Sequence, residues 1–168
     1  AHVVYGVVGY KTHAKMLLVV RREEEGLRRY VHLATGNYHP RTAKLYTDFG
    51  LFTRNEEIGS DVNDIFMQLT GLGKASSLNH LLQSPFTLHR EMMKSVRAET
   101  AHARAGKKAF IVAKMNSLLE PQIISALYDA SRAGVRIDLI VRGVCALRPG
   151  IPGVSENIRV RSIIGRFL

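Results

Sequence analysis

Apolar residues along the chain fall into short runs broken by glycine, proline or charge, and their spacing changes character near residue 80. Before that point four runs read as strands: Val3 to Gly9, Thr12 to Val20, Leu27 to Ala34 and Ala43 to Phe49. Glu23 to Gly26 suits a charged hairpin connection, and Gly36, Asn37 and Pro40 mark a loop. Ser60 or Asp61 then stands where a helix cap belongs. Val62, Ile65, Phe66 and Leu69 follow it at the i, i+3, i+4, i+7 spacing of a buried stripe, which Gly71 and Gly73 would end.

Ser76 to Pro85 is polar and poor in strong helix or strand formers, so a domain boundary is predicted near residue 80, giving units 1–80 and 81–168. In the second unit a helix is predicted from Thr87 to Ala105. Leu88, Met92, Val96 and Ala103 would line its buried side and Arg90, Lys94, Arg97 and Arg104 its wet side. A βαβ pattern follows: Ala109 to Met115 as a strand, Leu119 to Ala133 as a helix, Val135 to Val141 as a strand. Pro121 sits in the first helical turn, Ile123, Leu127 and Ala130 share a face, and Gly134 is placed for a left-handed C-terminal cap. Strands joined this way run parallel through a right-handed crossover. Ligands of open parallel sheets gather beyond the carboxyl ends of the strands, here Lys114 to Ser117 and Arg142 to Cys145. A loop rich in glycine and proline then leads to a last strand, Ile158 to Ile164. The fold class expected is α/β, as two units in tandem.

Composition narrows the setting. At 168 residues and 46% hydrophobic, the chain can build a substantial core. A formal charge of +10 favours polyanionic partners: nucleic acid, nucleotides, phosphate chains or acidic lipid. The single cysteine, Cys145, excludes an intrachain disulfide and fits a reducing compartment, with cytoplasm the default. No uncharged run approaches the roughly 20 residues of a membrane helix. The start at Ala1 and the stop within an apolar segment at Phe167 and Leu168 read as those of an excerpt from a longer chain.

Candidate chemistry begins with His13 and Lys15. On a strand, residues two apart share a face. A neutral imidazole can attack phosphorus and carry it as a phosphoramidate, while a neighbouring ammonium offsets charge on the phosphoryl oxygens. The same two residues could also be ordinary polar positions on a wetted strand. Tyr46 and Asp48, on one side of the fourth predicted strand, could face the space of His13, and an aspartate accepting from one ring nitrogen leaves the other free to attack. Arg142, at the carboxyl end of a parallel strand, either grips phosphate through its planar fork or bridges to Asp138 or Glu156. Arg159, Arg161 and Arg166 form either a phosphate-tracking row or a charged strand face.

Other patterns fail on spacing. Gly73-Lys74 has Gln68 where a phosphate loop needs glycine and Ala75 where it needs Ser or Thr. The seven histidines lack a zinc-protease spacing, so no protein-only transition-metal site is expected.

Six strings together are similar to bacterial polyphosphate kinase: Gly9-Tyr-Lys-Thr-His-Ala-Lys15, Leu33-Ala-Thr-Gly-Asn-Tyr38, Lys44-Leu-Tyr-Thr-Asp48, Lys114-Met-Asn-Ser-Leu118, Asp138-Leu-Ile-Val-Arg-Gly143 and the closing Ser155 to Leu168. They occur in family order from one end of the chain to the other. The resemblance implies two tandem phospholipase D-like α/β domains, the second truncated. It implies reversible transfer of the γ-phosphate of ATP to the end of a polyphosphate chain, through a phosphohistidine on His13. Lys15 is carried over as its electrostatic partner, Asp48 as a candidate orienter of the ring, and Tyr46 and Arg142 as contacts to the nucleotide or its phosphates. Magnesium is implied with ATP, its contacting arginines lying upstream of Ala1. A homo-oligomer in the cytoplasm, with attachment to the inner face of the membrane left open, is implied for the full-length protein, with no specific nucleic-acid partner.

Two departures bear on this. The phospholipase D pattern places an aspartate five residues after the lysine, where this chain has Val20. The family's second essential histidine lies just beyond Leu168, so the excerpt alone is expected to lack half of the catalytic pair. The alternative reading is a phospholipase D-like phosphodiesterase or nuclease.

Overall fold

In the computed structural model, which describes residues 2–71, 77–163 and 165, the first hairpin forms around the charged turn. Strands β1 (Met16–Glu23) and β2 (Gly26–Ala34) run antiparallel with Glu23 opposite Gly26. A short helix, α1 (Pro40–Ala43), precedes β3 (Gly50–Thr53), which pairs antiparallel with the end of β2 to complete the order β1-β2-β3. Helix α2 (Glu56–Leu69) packs against β1 and β2, and its Val62 and Ile65 are buried. Asn55 caps it, its Oδ1 accepting the Ile58 N–H at 2.9 Å, and Glu56 and Glu57 add negative charge to the first turn.

The structure revises three elements here. Val3 to Gly9 is not a strand: Gly6 and Gly9 take positive φ angles of 92° and 84°, which interrupt an extended path, and Tyr5 and Val8 are each 98% exposed. β1 starts at Met16, not Thr12. Ala43 to Phe49 is not a strand either, because Pro40 at the first helical position starts a helical turn through Ala43 and extended pairing resumes only at Gly50.

Asp61 also has a different task from the one its sequence position suggests. It lies inside α2, fully buried, and its carboxylate accepts the backbone N–H groups of Asn79, His80 and Leu81 at 2.8, 2.7 and 2.9 Å, plus Asn79 Nδ2 at 3.1 Å. Burial pushes this carboxyl up, but the donors from Asn79, Leu81 and His80 together outweigh it and hold the group below the usual aspartate range. The segment after α2 is thereby tied back onto it. Gly73 and Lys74 lie outside the described residues.

Contacts divide the chain into units Ala1–Leu82 and Gln83–Gly165. The second unit opens with α3 (Leu88–Arg104), then β4 (Phe110–Met115), α4 (Pro121–Arg132), β5 (Arg136–Val141) and β6 (Ile158–Arg161), the strands parallel in the order β4-β5-β6. Helix α4 ends as its glycine predicts. Gly134 has φ +93°, its N–H bonds Ser131 O, and the Val135 N–H bonds Ala130 O, which satisfies the last carbonyls of the helix.

Ile137, Leu139 and Val141 of β5 sit at 0–2% exposure against Leu127 and Ala130 of α4 in one apolar cluster. Helix α3 joins that cluster on a face rotated from the predicted one: Leu88 and Met92 are exposed, while Met93, Val96 and Ala103 pack inward. Thr100 completes the stripe, its hydroxyl donating to Val96 O at 2.8 Å, so a residue scored as polar is buried. Ile164, in the last predicted strand, lies outside the described residues. Among the described residues no helix is long and apolar enough to cross a membrane.

Candidate functional site

His13 and Lys15 meet, although not by strand alternation. Residues 11–15 have irregular backbone just ahead of β1. The Ala34 N–H bonds Lys15 O at 2.9 Å and fixes the main chain beside the end of β2, and the Lys15 side chain turns back onto the preceding histidine. Its Nζ lies 2.7 Å from His13 Nδ1 and 3.3 Å from Nε2, and it also donates to His13 O. A ring nitrogen that accepts from an ammonium presents a lone pair, the state a nucleophilic imidazole requires. His13 is exposed and Lys15 half-buried. Partial burial and then the nearby Lys11 push the Lys15 ammonium below the usual lysine pKa, with Asp48 pulling the other way.

Asp48 sits at the same end of β2. Its Oδ1 accepts the Thr35 hydroxyl at 3.1 Å, and Thr35 is itself fixed by the Phe49 N–H at 2.9 Å and by donating its own N–H to Phe49 O. Gly36 makes room for this carboxylate, because a Cβ there would lie 2.1 Å from Asp48 Oδ2. Among the described residues the hydrogen bond to Asp48 comes from Thr35 and the bond to the His13 ring from Lys15; no bond joins Asp48 to His13. Tyr46 lies on the irregular segment between α1 and β3, 41% exposed. Sequence reasoning passed over Thr35, Gly36 and Lys11 as contributors. A hydroxyl and a glycine at the end of a strand were the available signal for the first two.

In the second unit Arg142 follows β5 at the carboxyl edge of the parallel sheet. Its N–H bonds Met115 O at 3.1 Å, and Gly143 N–H bonds Asn116 O at 2.7 Å, so the loops after β4 and β5 are stitched together. The alternative ion pairs do not form among the described residues. Asp138 is taken by Arg136 at 3.2 Å, and neither it nor Glu156 pairs with Arg142. Arg159 and Arg161 are exposed on β6, and Arg166 lies outside the described residues. No group of three or more His, Cys, Asp or Glu side chains is placed to hold a metal among the described residues, so magnesium would find no carboxylate cage in them.

An α/β protein of two units, with an imidazole–ammonium pair in one and, in the other, a guanidinium at a parallel-strand edge that forms no ion pair among the described residues, is the class these observations define. Family models give it closer kin: that of polyphosphate kinase C-terminal domain 1 matches residues 1–76, and that of C-terminal domain 2 matches residues 81–168. The chain belongs to the polyphosphate kinase family. It is 68% identical over 172 aligned positions to a polyphosphate kinase of Burkholderia vietnamiensis and 66% to one of Paraburkholderia phytofirmans, covering 100% of this chain and 25% of each relative. The crystal structure of polyphosphate kinase from Porphyromonas gingivalis matches with a TM-score of 0.85 at 36% identity, over 98% of this chain and 27% of that one. The chain thus spans about a quarter of the length of the relatives it matches. The expected α/β class is the one observed, with two sheets, in keeping with tandem phospholipase D-like domains.

Proposed function

We propose that this chain carries part of the active site of an ATP:polyphosphate phosphotransferase, with His13 as the transient phosphate carrier. The observation that supports it most is the exposed His13 ring held by the Lys15 ammonium at 2.7 Å. In the resting protein Lys15 occupies the lone pair that would attack. An arriving γ-phosphate offers the ammonium three anionic oxygens in exchange, which frees the ring nitrogen at the moment the electrophile is in place. The nitrogen bonds to phosphorus, the bond to the bridging oxygen breaks and ADP departs. A terminal oxygen of polyphosphate then attacks the same phosphorus and returns the imidazole. The reverse sequence makes ATP.

Arg142 is proposed to grip phosphate oxygens, Tyr46 to contact the nucleotide, and Asp48 to bias the field at Lys15 and orient the ring during turnover. Magnesium, supplied with ATP, would offset charge on the nucleotide phosphates. Cytoplasmic residence and oligomeric assembly belong to the same proposal for the full-length protein.

The test uses the full-length parent with γ-labelled ATP and magnesium. Acid-labile, base-stable label is expected on the protein and absent from His13→Ala. Label persisting in that variant would reject the assignment, and diester cleavage without ATP would favour the phosphodiesterase alternative.

A further inference from the structure

Three consecutive residues at the end of β2 hold the two charged groups that act on the His13 ring. The Ala34 N–H bonds Lys15 O at 2.9 Å. The Thr35 hydroxyl donates to Asp48 Oδ1 at 3.1 Å. Gly36 leaves the notch in which that carboxylate lies, since a Cβ there would run into its Oδ2 and Cγ. The β2–β3 ladder ends with Ala34 opposite Gly50. At the next rung the Phe49 N–H goes to the Thr35 hydroxyl oxygen at 2.9 Å, and the Thr35 N–H goes to Phe49 O at 3.0 Å. The main chain of residue 49 thus fixes the hydroxyl in place. An ionised carboxylate only accepts, so the single hydroxyl hydrogen is directed at Asp48.

We propose that Thr35 is a positioning residue for phosphoryl transfer: its hydroxyl, beside the notch at Gly36, holds the Asp48 carboxylate where its charge acts on the Lys15–His13 pair; this role rests on His13 being the phosphate carrier. Among the described residues, the groups acting on the Lys15 ammonium are the His13 ring, Lys11 and Asp48. Partial burial and then Lys11 push that ammonium down, and the Asp48 charge pulls it back up. Without the hydroxyl the carboxylate turns about its own side-chain bonds, and Lys15 loses the negative charge that opposes Lys11. A smaller fraction of the protein then carries the ammonium that an arriving phosphate draws away from the ring.

The experiment compares Thr35→Val, Gly36→Ala and Thr35→Ser in the full-length enzyme by the rate at which γ-labelled ATP charges His13 in a single turnover, followed into alkaline pH. Valine keeps the branched shape and removes the hydroxyl. Alanine at 36 keeps the hydroxyl and drives the carboxylate from its notch, and Gly36 is not among the glycines of positive φ, so its backbone accepts the change. Each of these two should slow charging about tenfold, with little change in the ATP concentration that half-saturates it. Each should also move the alkaline limb to lower pH, because the charge that raises the Lys15 pKa has turned away. Thr35→Ser, which restores the hydroxyl, should recover most of the rate and return the limb. Added to Asp48→Asn, Thr35→Val should cost little more, since two changes to one interaction do not add. An unmoved limb in both Thr35→Val and Gly36→Ala, equal losses in Thr35→Ser and Thr35→Val, or a fall in melting temperature with an unchanged charging rate would overturn the role of Thr35. A wild-type enzyme that takes no label on His13 overturns the carrier reading as well, whereas labelled wild type with unaffected variants overturns the positioning role alone.

Discussion

Of the buried hydrophobic residues described, eleven belong to unit Gln83–Gly165 and form one cluster, while unit Ala1–Leu82 has only Val31, Val62 and Ile65. The two units are therefore held by different forces. The second is an apolar layer between two helices and a parallel sheet, and its Arg142 follows the end of β5 directly. The first relies on the β1–β2 ladder and on hydrogen bonds made by buried or half-buried polar groups, with Asp61 at their centre. Its chemical groups, His13, Lys15, Tyr46 and Asp48, all lie on irregular segments beside that ladder. An apolar core stands behind the guanidinium, and a hydrogen-bonded frame stands behind the imidazole.

The contrast can be broken by substitution. Ile137→Ala removes the centre of the apolar cluster and should destabilise the second unit by about 2–5 kcal/mol, read as faster hydrogen exchange across β4, β5 and β6. Asp61→Ala should cost about 2–3 kcal/mol by leaving three N–H donors without their acceptor, with the loss of protection confined to α2 and residues 77–82. If Ile137→Ala loosened both units equally, the two would share one stabilising core. Smaller still, Gly134→Ala forces a side chain into left-handed backbone and should cost about 1–2 kcal/mol, seen as fraying at the end of α4.

Acid should act on the first unit through Asp61. Its folded pKa lies below the unfolded value, so the stability it gives is complete above the usual aspartate range and is lost as pH falls from there through the lowered pKa. Asp61→Asn should flatten that part of the acid-unfolding curve. Lys15 gives the opposite limb in activity. Because burial and then Lys11 depress its pKa, the ammonium is lost at a lower pH than for an ordinary lysine, and turnover of the parent enzyme should fall on the alkaline side before pH 10.5. Lys15→Arg should move that limb upward, and an unmoved limb would place the titration elsewhere.

The second unit was the more legible in sequence because its information is local. Pro121, the Ile123/Leu127/Ala130 face and Gly134 each state their role within one helix, and the strands on either side came out within a residue or so. The face of α3 was misplaced because Thr100 satisfies its hydroxyl on Val96 O, and a hydrophobic pattern does not count it. In the first unit the deciding partners are distant. Ser60 or Asp61 was expected to cap α2, but Asn55 does so, and Asp61, inside the helix, accepts from the N–H groups of residues 79–81. Pro40 turned the predicted strand around Tyr46 and Asp48 into a helical turn and a loop. The pairing of His13 with Lys15 was legible from spacing alone, while its cause, an irregular backbone anchored to Ala34, was not.

The most direct measurement is to locate the phosphate itself. Full-length parent enzyme charged with γ-labelled ATP, freed of nucleotide and digested under alkaline conditions should yield a phosphorylated peptide with the modification on the His13 imidazole. Either ADP or polyphosphate, added before digestion, should remove it. Phosphate on another residue with His13 bare, or label on His13 that neither acceptor discharges, would contradict a carrier role for that ring.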